Sequence, residues 1–293
     1  MDITSASQLL ELCAERGQDL AEIVAEYEAF RTNTTVDAVR RQMRETLEVM
    51  RTSVKKGIED QGEFAHLIKG YGSMFHLASS QGLLLGGSLF RNVTLYALAV
   101  GQYNASLGRI VACPTAGSCG VVPGALLAVA DQVQSSDEEL VEALLVMGGV
   151  GIVSAAQGPI SGAEGGCQAE CGVASAMAAG AIVYLMGGSG EQVFAAASLA
   201  LQSHLGLVCD PLASLVEVPC VTRNATSAST ALVAANMVLA GIPAVIPYDE
   251  TVVAMKGIGK ALPESLRETS KGGLATTSTG RKIYDEMREK YRL

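Results

Sequence analysis

Three cysteines stand at the ends of apolar segments, in the settings Gly166-Cys167-Gln168, Val208-Cys209-Asp210 and Pro219-Cys220-Val221. Thiolates are soft ligands, and three of them brought together from separate segments suit an iron–sulfur cluster in which one iron has no protein ligand. Such an iron can act as a Lewis acid. For any single cysteine the alternative is a small apolar core residue, because free cysteine is among the most buried residue types.

The local context of the three cysteines favours the ligand interpretation. Cys167 opens a predicted helix, whose unpaired amides and dipole favour a thiolate. Cys220 stands just before a helix predicted to start near Asn224, and Cys209 precedes the turn Asp210-Pro211. We therefore expect all three on turns where their side chains can converge.

The remaining cysteines are less clear. Cys171 follows Cys167 by four residues, so on a helix both share a face, and Cys171 could be a fourth ligand that closes the open iron. Cys113 and Cys119 form a C-x5-C pair without a standard zinc spacing, and the three histidines are scattered, which disfavours structural zinc. In a reducing compartment, seven cysteines are expected to be thiols or ligands and not disulfides.

Composition and charge predict an all-α fold. Apolar residues make up 49% of the chain but aromatic residues only 4%, so the core must consist largely of small and aliphatic side chains, as in closely packed helices. Residues 70–249 hold only 14 of the 51 charged side chains, which predicts a buried centre. We expect one domain over 1–293: an amphipathic helical layer (1–69), a buried helical core with the cluster ligands (70–249) and a polar C-terminal segment (250–293).

The periodicity of apolar residues predicts where the helices of this bundle lie. It predicts a helical first segment and a second helix over about 36–56, which we interpret as a lid or a partner-binding layer. No segment of the core alternates with period two, and Gly or Pro separates the segments. Core helices are predicted at roughly 88–105, 121–134, 138–156, 168–187, 190–205 and 224–240.

The distribution of charge also limits which partners the protein can bind and where in the cell it is expected. A net charge of −9 disfavours a sequence-independent grip on nucleic acid or on an anionic membrane. Residues 171–190 carry no charge, but they are rich in small residues and lack a Lys/Arg flank, so we expect no membrane span. The start, Met1-Asp2-Ile3-Thr4-Ser5, has neither a basic nor an apolar signal region, and we expect a cytoplasmic protein.

Two polar loops are candidate substrate-binding sites. Thr115-Ala116-Gly117-Ser118 precedes a predicted helix and could offer amides and hydroxyls to an anion; the alternative is an ordinary Ser/Thr helix cap. Thr269-Ser270-Lys271-Gly272 combines hydroxyls, an ammonium group and a flexible glycine; the alternative is a mobile polar tail.

Five ordered motifs resemble the iron–sulfur-dependent L-serine dehydratases, and specifically the α chain of the two-chain bacterial form. The resemblance covers nearly the full length. The motifs are Pro114-Thr115-Ala116-Gly117-Ser118-Cys119-Gly120-Val121-Val122-Pro123-Gly124, Gly166-Cys167-Gln168-Ala169-Glu170, Leu207-Val208-Cys209-Asp210-Pro211, Val218-Pro219-Cys220-Val221-Thr222-Arg223-Asn224 and Glu268-Thr269-Ser270-Lys271-Gly272-Gly273-Leu274.

The resemblance implies a [4Fe-4S] cluster held by Cys167, Cys209 and Cys220, with Cys171 not a ligand. It implies that the 115–118 loop binds the substrate carboxylate, and we interpret 269–272 as a loop that closes over the amino acid with Lys271 near that carboxylate. It also implies a separate β subunit that contributes part of the active site.

The implied reaction is the elimination of water from L-serine, through aminoacrylate, to pyruvate and ammonia. The sequence identifies no general base. A pyridoxal phosphate enzyme is disfavoured, because no lysine lies between Lys69 and Lys256 and strands do not alternate with helices. The alternatives are a cysteine desulfidase and a non-catalytic subunit that only carries a cluster.

Overall fold

Helices provide the regular structure of the chain. The computed structural model describes residues 2–291, and no β-strand occurs among them, so the all-α prediction is confirmed. The helices are α1 (Ala6–Arg16), α2 (Leu20–Thr32), α3 (Val36–Glu59), α4 (Tyr71–Ser80), α5 (Ser88–Ala105), α6 (Ala128–Val133), α7 (Asp137–Gln157), α8 (Gly162–Gly165), α9 (Val173–Leu185), α10 (Gly190–Gln202), α11 (Cys220–Leu239), α12 (Tyr248–Ala261) and α13 (Ser278–Tyr291).

Three predicted core helices begin differently from the expectation. The segments predicted over 121–134 and 168–187 each start with a π-helical turn, Pro123–Leu127 before α6 and Gln168–Gly172 before α9. The helix predicted from Asn224 starts four residues earlier, so Cys220 is the first residue of α11 and does not precede the helix. Periodicity places a helix more reliably than its first turn, because end groups bond to caps and neighbours instead of to the helix itself.

The centre of the bundle is α9. Its residues from Val173 to Val183 are all buried, and it packs against α7, α10 and α11. Alanine and glycine dominate its sequence, which lets the neighbouring helix axes approach closely. The composition-based expectation of a core helix buried on all sides therefore holds for α9.

Three segments are long and apolar enough to cross a membrane when judged by length and composition: Ala116–Val133, Asp137–Gln157 and Gln168–Leu185. In the most apolar 18-residue stretch of each segment, 72%, 61% and 89% of the stretch, respectively, is buried inside the protein. Most of their apolar surface is thus covered by other parts of this chain.

The N-terminal layer consists of three helices, because Gly17 ends α1 in the left-handed conformation and Asp19 caps α2. Helix α2 packs on α7, and α3 packs on α5 and α7. Several of their large apolar side chains are fully buried, including Leu9, Ile23 and Leu47, whereas Phe30 is 69% exposed. Much of this apolar surface is therefore covered within the chain itself, and the interpretation as a lid or partner-binding layer stays a prediction.

The polar C-terminal segment is more structured than the sequence suggested. Helix α12 buries Tyr248, Val252 and Met255 at helical spacing and packs against α7, α8 and α10. Between α12 and α13, residues 264–277, here called the C-terminal strap, run back across the loop that carries Cys209. The Cys209 N–H donates to Leu266 O (2.9 Å), and the Glu268 N–H donates to Cys209 O (2.8 Å).

Candidate metal centre

Cys167 is positioned by the side chain that follows it. Gln168 is fully buried; its Nε2 donates to Gly165 O (2.9 Å) and to Met255 O (3.1 Å), while its Oε1 accepts from Gly206 N (2.9 Å). These bonds fix the first residue of the π turn between α12 and the loop that leads to Cys209. π turns inside helices often occur at functional sites.

Cys209 is fixed by the C-terminal strap on one side and by α8 on the other. A Cβ placed on Gly162 would lie 2.8 Å from Cys209 Sγ and 3.2 Å from Glu268 Oε2. Glycine is therefore required at position 162, and the Cys209 thiol and the Glu268 carboxylate both lie against it.

The structure brings the predicted ligands from three segments into one buried region. Cys167, Cys171 and Cys209 are in contact and are each 2% exposed or less. Cys220 is 7% exposed, and burial, followed by the nearby Cys167 and Glu170, raises its pKa to about 12. All seven cysteines are free thiols.

The thiols differ in how readily they ionise. A hydrogen bond from Cys171 lowers the pKa of Cys167; burial opposes this shift and the positive charge of Arg223 adds to it. The same hydrogen bond, together with burial, raises the pKa of Cys171, and burial raises that of Cys209. Cys167 is thus the thiol of this group that ionises most easily.

A buried ion pair lies beside the thiols. Arg223 Nη1 is 2.9 Å from Asp210 Oδ1 and donates to Val208 O (2.9 Å), while Asp210 Oδ2 accepts from Leu274 N (2.8 Å) in the C-terminal strap. Burial lowers the pKa of Arg223, but the negative charges of Cys167 and Asp210 outweigh burial and raise it. Arg223 is therefore a fixed positive charge next to the thiols.

The donor chemistry fits an iron–sulfur cluster. Among residues 2–291, no three His, Cys, Asp or Glu side chains meet closely enough to hold a single metal ion. A cluster of several irons spreads its ligands over a larger volume than one ion does, and its protein donors are thiolates. Buried thiols from three segments beside a guanidinium group match those requirements, because the positive charge offsets that of an anionic cluster.

The 115–118 loop reaches the cysteines through Glu170. Thr115 Oγ1 donates to Glu170 Oε1, and a Cβ placed on Gly117 would lie 2.5 Å from that same oxygen. Glu170 is 6% exposed; burial raises its pKa, the hydrogen bond from Thr115 opposes this, and the charge of Glu268 adds to it. Two members of the predicted substrate loop are thus next to the candidate metal centre.

The other two members of the loop are used differently. Ser118 is buried and its Oγ donates to Cys113 O (2.8 Å), a contact within the loop and not the helix cap weighed as the alternative. Ala116 is exposed, and its carbonyl accepts from Asn104 Nδ2 (3.3 Å). Neither side chain lies against Glu170 in the manner of Thr115.

Residues 269–272 belong to the C-terminal strap. Thr269 Oγ1 donates to Glu264 O (3.1 Å), and Ser270 Oγ donates to Pro211 O (2.7 Å). Lys271 is exposed and lines a cavity of about 420 Å³ whose lining includes neither a cysteine nor a residue of the 115–118 loop. Gly272 packs on Ser265, where a Cβ would be 2.7 Å from the carbonyl oxygen. The segment is tied down by hydrogen bonds, and the role of Lys271 at the substrate carboxylate stays a prediction.

The family comparison agrees with the motifs. The family model described as "Serine dehydratase alpha chain" matches residues 15–275. This chain belongs to the serine dehydratase alpha chain family.

Relatives of the family resemble the chain over most of its length. It is 43% identical to the "Probable L-serine dehydratase, alpha chain" of Bacillus subtilis, over 95% of this chain and 93% of that one. It is 38% identical to the "L-serine dehydratase, alpha chain" of Peptoniphilus asaccharolyticus, over 96% and 97%. It is 35% identical to the "L-serine dehydratase" of Streptomyces coelicolor over 92% of this chain but only 60% of that longer protein. The resemblance inferred from the motifs is confirmed.

Four charged residues of this serine dehydratase alpha chain were not identified as functional from the sequence: Glu170, Asp210, Arg223 and Glu268. One signal was available, because Glu170 stands directly before the twenty uncharged residues 171–190, where a carboxylate is costly unless it has a partner. Asp210, Arg223 and Glu268 lie within the quoted motifs but carry no local periodic signal. Their importance follows from what they contact in the fold.

Proposed function

We propose that this chain is the alpha subunit of a cytoplasmic, [4Fe-4S]-dependent L-serine dehydratase that converts L-serine to pyruvate and ammonia. The family match over residues 15–275 and the two relatives named as alpha chains support the activity. The observation that carries the iron–sulfur part is the buried group formed by Cys167, Cys171 and Cys209, with Cys220 close enough to interact electrostatically.

In this proposal Cys167, Cys209 and Cys220 hold the cluster. When bound, a cluster with one iron free of protein ligands supplies a Lewis acid for the hydroxyl group that leaves. Arg223 keeps a positive charge beside the thiolates, and Asp210 orients that guanidinium group. No role falls to pyridoxal phosphate, since no lysine lies between Lys69 and Lys256.

The chain's own polar groups bind and enclose the substrate. The 115–118 loop receives the carboxylate, and the C-terminal strap covers Cys209, which is only 2% exposed. Because so little of the site reaches solvent, we expect substrate entry to require movement of the strap. Exclusion of water after closure strengthens the electrostatic interactions in the site.

A separate β subunit is the expected partner. The Streptomyces coelicolor relative carries additional sequence, because this chain spans 60% of its length. We propose that a second chain supplies here what the longer relative carries in one polypeptide, including the general base.

The test is an anaerobic assay of the chain with and without its co-purified second chain. We expect equal amounts of pyruvate and ammonia from L-serine only with both chains present, together with bound iron and sulfide. Turnover of L-cysteine without L-serine would favour a desulfidase, and bound iron and sulfide without turnover would favour a cluster carrier. Full L-serine turnover by iron-free protein would refute the cluster dependence.

A further inference from the structure

Glu170 is a buried carboxylate that is only half satisfied. Its Oε1 accepts from Thr115, whereas its Oε2 accepts no hydrogen bond from the rest of residues 2–291 and keeps some accessible surface, so a small ligand can reach it. Within the same part of the chain, Glu170 forms no ion pair with a Lys, Arg or His side chain. Buried carboxylates are normally hydrogen-bonded and paired with a cation, because an isolated buried charge is costly.

The charged group that acts on Glu170 is another carboxylate and not a cation. Glu268 interacts electrostatically with Glu170, and, in addition to burial, the two carboxylates together raise the pKa of the Cys209 and Cys220 thiols. Arg223 is already paired with Asp210 and donates a hydrogen bond to the Val208 carbonyl. Among the residues that the structure describes, no cationic side chain is therefore paired with Glu170, and a ligand can supply that positive charge.

An α-amino acid carries such a cation beside its carboxylate. We infer that Glu170 binds the α-ammonium group of the substrate while the 115–118 loop binds its carboxylate, an assignment that rests on the proposed function. Thr115 belongs to that loop and donates to Glu170, so it joins the two halves of the recognition site. An ammonium group donates up to three hydrogen bonds, and one of them would satisfy Oε2.

Specificity for amino acids over hydroxy acids follows from this assignment. L-Glycerate has a hydroxyl group in place of the ammonium group of L-serine and is otherwise alike. It offers a hydrogen bond but no charge to Glu170, so it should bind more weakly. Glu170 is thus a specificity-determining residue of the alpha chain.

The test compares Glu170→Gln with Glu164→Gln in the complete, anaerobically purified enzyme. Glu164 is an exposed carboxylate on α8, six residues before Glu170, and it forms none of the hydrogen bonds or ion pairs described above. Because hydrogen bonds to charged groups contribute more than neutral ones, we expect Glu170→Gln to raise KM for L-serine by about 10- to 100-fold. The inhibition constant of L-glycerate should stay within about threefold, and Glu164→Gln should change neither value.

Two further readouts separate binding from structural damage. Iron content and cluster absorption should be unchanged in Glu170→Gln, and Glu170→Asp, which keeps the charge, should restore part of the preference for L-serine over L-glycerate. An unchanged KM for L-serine, a loss of iron, or a Glu170→Asp variant no more selective than Glu170→Gln would overturn the assignment. If the unaltered enzyme makes no pyruvate from L-serine, the proposed function itself fails.

Discussion

The buried ion pair between Asp210 and Arg223 gives the sharpest stability prediction. Asp210→Asn keeps the shape of the side chain but removes its charge. Asp210 Oδ2 accepts from Leu274 N (2.8 Å), and Oδ1 lies 2.9 Å from Arg223 Nη1 in the ion pair; the asparagine amide can present its oxygen to only one of these two nitrogens. The amide nitrogen must then face the other nitrogen. Both of these groups are hydrogen-bond donors, so the contact between them becomes unfavourable.

The magnitude follows from the burial of the pair. Removing one partner of a buried ion pair costs about 3–5 kcal/mol, because the other charge is left uncompensated. Arg223 retains its bond to Val208 O and its side chain is 17% exposed, so we take the lower limit of about 3 kcal/mol. At about 2 °C per kcal/mol for a chain of this size, the Tm should fall by about 6 °C.

The matched control is Glu28→Gln, which removes the carboxylate from an exposed ion pair. Arg31 contacts Glu28 through two nitrogens at 3.0 and 2.8 Å, but the two side chains are 59% and 30% exposed. Exposed pairs contribute about 1 kcal/mol or less, so the Tm should fall by about 2 °C at most. Thermal unfolding followed by circular dichroism compares the two variants. Equal shifts would refute the argument that burial makes the Asp210 pair the more important one.

Two other predictions concern the cluster and the packing of the helices. Cys209→Ser should abolish the broad absorption near about 400 nm and the bound iron, whereas Cys171→Ser should leave both largely intact; loss of iron in the second variant would contradict the three-ligand assignment. Gly57→Ala should lower the Tm by about 2–6 °C, because a Cβ there would lie within van der Waals overlap of Ala99 O on α5. Gly148→Ala, in an α7 position with no atom within 4 Å of the added Cβ, should instead raise the Tm by about 1–2 °C, and a decrease there would show that the contact argument is incomplete.

Much of the helical core could be predicted from the sequence. The segment predicted over 88–105 is α5, Ser88–Ala105, and the one over 138–156 is α7, Asp137–Gln157. Both are long apolar runs bounded by polar or turn residues, and α7 begins with a capping box at Ser136. Local signals of this kind act within a few residues, so one sequence is enough to detect them.

The helices missed by the sequence analysis have weaker local signals. Helix α12 contains Asp249, Glu250 and two lysines, so its composition resembles that of a polar segment. Its buried residues Tyr248, Val252 and Met255 recur at helical spacing, and a narrower periodicity search would have found them. The short helix α4 buries only Gly72 and offers no apolar face to detect.

For the candidate site too, local features could be predicted from the sequence and contacts between distant residues could not. The sequence predicted that Cys167, Cys209 and Cys220 lie at the ends of helical segments, and it identified the 115–118 loop as polar and close to a helix start. It could not predict that Thr115 donates to Glu170, fifty-five residues away, or that Asp210 joins Arg223 to the C-terminal strap.

The chain by itself therefore determined its helical class, its family and the residue types available for chemistry, since periodicity, spacing and motifs are properties of neighbouring residues. Only the tertiary structure decided which charges are buried and which of them have partners. Burial and pairing depend on how α8, α9, α11 and the C-terminal strap pack together. Glu170 is the clearest case: in the sequence it is one carboxylate among thirty acidic residues, and in the described part of the fold it is buried and forms no ion pair with a cationic side chain.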